Sequence, residues 1–280
     1  MAVLLGLLVA ASFGTGDFIG GRTSARASTP GVLVFAQSAA LTGAFVVALI
    51  VSADVNGSDL VNGSIAGALN VVALGLLYLG LATGRMGVVA PITAVVASVI
   101  PVTYGLTRGE RPSALVYVGV IASIAAGALI GVSRDRHATE RSSRAALIAI
   151  GAGSCFGSSF IFYARTSTLS GMWPIFAARV TSLALVVLFV LVIGRRRPIV
   201  MPHGHDRGVS LVAGLCDVTG STVILIAVRR DLIVTVTPVA ALAPAVTVLL
   251  AWWLLHERIS RLQFGGLAVA LTGLVLIASG

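Results

Sequence analysis

Apolar runs of about 20 residues follow one another along almost the whole chain, and no other feature limits the fold as much. A backbone inside a bilayer has no water to bond, so it must satisfy its N–H and C=O groups within the segment, which makes such runs helices. Strands of a membrane barrel would alternate apolar and polar residues, and these runs do not. Charged residues make up 10% of the chain, against about 25% in a soluble domain. The expected class is an all-α membrane protein.

Ten transmembrane helices fit the sequence. The first five spans are 2–21, 30–51, 63–83, 87–106 and 114–132; the next five are 145–164, 173–193, 209–228, 232–255 and 262–279. Residues 134–144 are a polar linker, and residues 194–208 form a second polar loop. The division is therefore 1–133, linker, 145–280. The N-terminus lacks a basic leader and a small-residue cleavage site, and is expected to be a retained first helix.

The two halves repeat each other. Phe13, Gly14, Arg22, Thr23 and Ser24 recur as Phe156, Gly157, Arg165, Thr166 and Ser167. A second alignment joins Asn70 to Asp217, Pro91 to Pro238, Glu110-Arg111 to Glu257-Arg258 and Gly119 to Gly266. Hydrophobic bias would produce matches of Leu, Val and Ala; these are Gly, Pro, Arg, Glu, Thr and Ser, which points to duplication. Five spans per half is odd, so the second half enters the bilayer from the opposite side. Two inverted five-helix repeats follow, the frame that lets a carrier exchange two half-structures.

All 19 basic residues are Arg. Loops after odd spans hold 13 of them and loops after even spans hold 5; the remaining one is Arg179. The positive-inside rule then puts the odd loops in the cytoplasm and both termini outside. This bias, and not nucleic acid, accounts for the basic balance. Cys155 and Cys216 lie within spans and read as small hydrophobes, with no disulfide or metal inferred.

Ten spans in two halves, Pro91 near the start of the fourth span with Gly109-Glu110-Arg111 after it, and Pro238 with His256-Glu257-Arg258, together resemble the EamA-type transporters of the drug/metabolite transporter (DMT) superfamily. The resemblance implies a multi-pass plasma-membrane carrier, not an enzyme, with no cofactor. It would move a small metabolite, amino-acid-like or another organic solute, in the export direction by alternating access. Expected partners are the small-molecule substrate, the lipid bilayer and, as an option, a second copy in a homodimer. A non-transport membrane subunit or a passive channel is the alternative. The chain departs from the family's habit in two places. Its loop after the second span is acidic, with Asp54 and Asp59, whereas the family has basic residues there and cytoplasmic termini. Gly14 and Gly157 stand where small multidrug relatives keep a Glu in the first helix.

Ionisable groups inside a bilayer cost about 2.5–3.5 kcal/mol each on insertion scales, so each is a candidate for function. Asp217 in span 8 has Asn70 of span 3 as its repeat partner. Both suit a substrate or proton site at the repeat interface, or an interhelical hydrogen bond. Arg179, in span 7, needs a partner: Asp217, a helix-end carbonyl or a substrate carboxylate. Its alternative is to snorkel to the interface. The resemblance adds weight to an Arg at this place. Asp17 sits near Arg22 at the end of span 1 and pairs by repeat with Phe160; it reads either as a locally paired helix end or as a cavity group on the face of Gly14. Gln37, Tyr78, Ser158, Ser159, Tyr163 and Trp252, with Thr93 and Thr235, are uncharged candidates that equally suit helix packing. Pro91 and Pro238 are hinge candidates; Glu110, Arg111, Glu257 and Arg258 are gate candidates or simple surface pairs.

Other patterns carry less. Gly14-x-Gly16 follows no strand, so it is no nucleotide loop. Gly16-x-x-x-Gly20, Gly80-x-x-x-Gly84 and Gly127-x-x-x-Gly131 suit close helix packing. His203, His205 and Asp206 are too few and too loosely placed for a metal site. The expected cavity lies between repeats, lined by spans 1, 3, 4, 6, 8 and 9, with proton coupling resting on Asp217.

Overall fold

The computed structural model describes residues 2–51, 53–82, 86–130, 139–196, 198–230, 233–255 and 261–279. Among them the chain is helical, with no strand. The helices are α1 (Ala2–Ser24), α2 (Thr29–Ile50), α3 (Gly57–Ala82), α4 (Met86–Thr107), α5 (Ala114–Ile130), α6 (Thr139–Ala164), α7 (Trp173–Ile193), α8 (His205–Arg230), α9 (Ile233–Ala240), α10 (Ala243–Leu255) and α11 (Arg261–Ser279). Seven segments are long and apolar enough to cross a bilayer, α9 and α10 counting together as one. Three more apolar stretches, Ile92–Thr107, Ala114–Ala126 and Phe264–Ile277, are shorter. Large apolar side chains such as Ile50, Ile121, Leu188 and Leu271 stay exposed on the outside, as a lipid solvent allows.

Local chemistry sets the helix ends. α2 and α7 each carry Pro in the first turn, Pro30 and Pro174, where a missing N–H costs nothing. Gly109 (φ 92°) follows α4 and Gly171 (φ 50°) precedes α7, both in backbone that a side chain resists. The expected ninth span is not one helix. It breaks at Ala241-Leu242, where Leu242 N–H bonds the Val239 carbonyl and Ala245 N–H the Leu242 carbonyl in tightened turns. Pro244, four residues after Ala240, has no N–H to give that carbonyl. Pro238 lies inside α9, three residues before the break, and not at a helix start.

Helix packing comes in exchanged pairs. α1 lies on α8 as α6 lies on α3; α2 lies on α8 as α7 lies on α3; α1 meets α9 and α10 as α6 meets α4; and α5 pairs with α11. Lipid tails are as apolar as Leu, so close backbone approach has to bind such helices. A Cβ at Gly67 of α3 would overlap the Ala178 carbonyl of α7, and one at Gly214 of α8 would overlap the Ala36 carbonyl of α2. Gly67 and Gly214 are 147 positions apart, the spacing that joins Asn70 to Asp217. Gly16 and Gly20, by contrast, serve two helices. Gly16 faces Ala213 and Cys216 of α8, and Gly20 makes room for the Tyr78 ring of α3. Gly84 and Gly131 lie outside the described residues.

The acidic loop after α2 is a fastening. Asp59 is buried and accepts from Ser167 N–H at 3.0 Å and Ser170 Oγ at 2.7 Å. Arg229 at the end of α8 donates to Thr166 Oγ1 at 2.8 Å and to the Gly171 carbonyl at 2.6 Å. These bonds hold the 165–172 connection against α3 and α8.

Candidate functional site

Arg179, in the second turn of α7, is 0% exposed. Its Nη1 donates to Asp217 Oδ2 at 2.5 Å, Gln37 Oε1 at 3.3 Å and Asn70 Oδ1 at 3.4 Å. Its Nη2 donates to the Asp217 carbonyl at 3.4 Å and to Ser221 Oγ. Gln37 Nε2 in turn donates to Asp217 Oδ2 at 3.4 Å. Tyr163 packs beside Arg179 and Ser221. Four helices, α2, α3, α7 and α8, thus meet in one polar knot.

Two matching glycine contacts frame the knot. Gly67 seats on Ala178, one residue before Arg179; Gly214 seats on Ala36, one residue before Gln37. Asn70 and Asp217 follow their glycines by three residues. One half supplies a neutral Gln and Asn, the other a charged Arg and Asp at the matching places. A guanidinium in an apolar interior needs a counter-charge, and Asp217 supplies it. Asp217 is that counter-ion in this structure. The expected clamp of Arg179 on a substrate carboxylate also differs from this arrangement: both Nη atoms are engaged within the protein, and Arg179 does not line the cavity.

The cavity lies beside the knot. Phe13, Gly16 and Asp17 of α1, Leu77 and Tyr78 of α3, Thr93 and Ala97 of α4, Phe156 and Phe160 of α6, Asp217 of α8, Ala240 of α9 and Thr247 of α10 line it. Its volume of about 60 Å³ holds a few waters and is far below the several hundred Å³ of an ordinary small-molecule site. Phe13 and Phe160, one position from Gly14 and three from Gly157, stack with centroids 6.4 Å apart. The break between α9 and α10 opens onto this space through Ala240 and Ala241.

Asp17 contributes the cavity's carboxylate that has no partner. No hydrogen bond or ion pair reaches it among the described residues; its electrostatic neighbours are Asp217 and Tyr78. The expected local pair with Arg22 does not form, because Arg22 is exposed beyond the helix turn that turns Asp17 inward.

The remaining candidates divide. Ser159 is buried and donates to the Phe156 carbonyl of its own helix at 2.7 Å; Ser158 is partly buried, and neither lines the cavity. Trp252 is 52% exposed on the outer face of α10, away from the cavity that was expected to use it. Thr235 lies one turn inside α9 and also stands off the cavity. Pro91 sits within α4, and its side chain is outside the described set. Arg111 is exposed. Glu110 makes no pair with it: its Oε2 accepts from Val234 N–H at 3.0 Å and its Oε1 from Ile233 N–H at 3.3 Å. A carboxylate thereby caps the orphan N–H groups at the start of α9 and ties the end of α4 to it. Glu257 and Arg258 lie outside the described residues. Asp206 is taken by Arg26 at 3.4 Å, and no cluster of three metal-binding side chains occurs among the described residues. Sequence reading missed Ser221, Pro244 and Thr247. Pro244 carried the one usable signal, a second Pro within a single span.

Residues 143–279 match the EamA-like transporter family. No curated protein matches the chain. Among solved structures, 27 chains match. One, a crystal structure, superposes with a TM-score of 0.74 at 17% sequence identity, covering 98% of this chain and 95% of that one. That likeness is one of fold.

Proposed function

We propose, from the match of residues 143–279 to the EamA-like transporter family, that the chain carries a small organic metabolite across the plasma membrane by alternating access. The carrier is built as two inverted five-helix repeats, with α9 and α10 forming one broken span. The exchanged packing pairs support this frame, as does a family match that covers the second half of the chain. Transport runs in the export direction, and the solute is amino-acid-like or another small organic molecule. The carrying observation is the cavity itself: helices of both halves line it, it is polar at Asp17, and it is too small in this conformation for its load. Rocking of one half against the other enlarges it. The broken ninth span gives that motion a joint at the cavity wall, in the manner of discontinuous transporter helices. Glu110 holds α9 to α4 at one end while the cavity is closed in this way.

Counterflow tests the reading. Proteoliposomes preloaded with a candidate solute should accumulate the labelled solute above its equilibrium level, with saturation. Passive, unsaturable flux would mark a channel, and no solute-dependent flux at all would mark a non-transport subunit.

A further inference from the structure

Every hydroxyl that faces the cavity has spent its proton. Tyr78 Oη donates to the Gly16 carbonyl at 3.2 Å, Thr93 Oγ1 to the Ala149 carbonyl at 3.2 Å, and Thr247 Oγ1 to the Gly14 carbonyl at 3.0 Å. What these groups still offer is lone pairs. Asp17 adds an unpartnered carboxylate. Among the described residues the cation near the centre, Arg179, is 0% exposed and tied to Asp217, Gln37, Asn70 and Ser221. The described lining therefore presents hydroxyl lone pairs, the unpartnered Asp17 carboxyl and no cationic donor. Its other walls are apolar and aromatic, with Phe13 and Phe160 stacked at one side.

We infer that the cavity takes a protonated amine with an apolar body, its ammonium donating to Asp17 and its body lying against Phe13, Phe156 and Phe160. This assignment rests on the transport reading of the cavity and names the chemical class of its load. An ammonium brings up to three N–H donors to a wall of acceptors and places a cation beside aromatic faces. A carboxylate ligand would instead meet two carboxyl groups and no cation on the described lining. The inference reverses what Arg179 alone suggests, because that charge is neutralised before it reaches the cavity.

The test is a binding series on the purified full chain in detergent. The probes are phenethylamine, hydrocinnamate and phenethyl alcohol, which share one apolar body and differ in charge, with butylamine and butyrate as a smaller pair. Each amine should bind at least about tenfold more tightly than its anionic partner. Asp17→Asn should bring phenethylamine down to the level of phenethyl alcohol, and Asp17→Glu should keep the preference for the amine. A preference for either anion would overturn the inference. So would an unchanged amine preference in a folded Asp17→Asn protein, or no amine binding by the folded native chain. Should Asp17→Asn fail to fold, the native series and Asp17→Glu still decide. Counterflow separates this from the transport reading: saturable counterflow of hydrocinnamate without amine binding sinks the amine site alone. Amine binding by a protein that carries no solute sinks transport and leaves the amine site standing.

Discussion

Two carboxylates stand beside the same cavity and are used in opposite ways. Asp217 is 4% exposed, held by a guanidinium at 2.5 Å and braced by Gln37. Asp17 is partly open, touches no donor among the described residues and shares its surroundings with aromatic rings. The chemical group is the same; the neighbours differ. The first charge completes a structural knot and the second remains available. A buried ion pair is weak evidence for stability in itself, but an unpaired buried charge is a strong liability. An Asp carboxyl without a partner, on a cavity wall, is where a cationic ligand finds its counter-group.

The comparison can be broken first at the knot. Arg179→Ala should cost about 3–5 kcal/mol in thermal unfolding, because it strands Asp217. The double variant Arg179→Gln with Asp217→Asn should regain most of the loss that either single change causes, since Gln37 and Asn70 already hold the duplicated places in neutral form. A double variant as unstable as the worse single one would mean the charges do more than cancel each other. Next comes the close helix contact beneath the knot. Gly214→Val should cost about 1–3 kcal/mol, because its side chain meets the Ala36 carbonyl and not a movable side chain. Unchanged melting of that variant would show that α2 and α8 separate freely. Glu110→Ala should be milder, about 0.5–2 kcal/mol, the loss of a helix cap. It should alter counterflow rate more than solute affinity, since it fastens α4 to α9 away from the cavity. Smallest of all should be Asp17→Asn in melting, within about 1 kcal/mol, because no native bond is broken.

The sequence carried the frame further than the site. Apolar runs and the offsets between halves located the helices to within a few residues. They did not show the break at Ala241-Leu242, because hydropathy stays high across a broken span and only the second proline hints at it. The partners of Arg179 were open among three, and the choice is made by packing: Gly67 on Ala178 and Gly214 on Ala36 bring four helices to one point. No spacing along the chain reveals that: Gln37 and Arg179 are 142 positions apart, which fits neither the alignment offset by 143 nor that by 147, and only the helix contacts bring them into correspondence. Asp17 was obscured for another reason. Arg22, five residues on, offers an obvious partner in one dimension, and the helix turns the two apart in three. Trp252 shows the converse: an aromatic in mid-span reads as a cavity wall, but the helix face that carries it looks outward.

The split between the two carboxylates is tested most directly by one pair of melting curves, Asp217→Asn beside Asp17→Asn, in nanodiscs of the same lipid. A single kcal/mol is worth about 2–4 °C in a chain of this order of size. The Asp217 variant should melt lower than the native protein by about 6 °C or more, and the Asp17 variant should stay within about 3 °C of it. Equal falls, or a larger fall for Asp17→Asn, would contradict the division of one charge for the fold and one for the ligand.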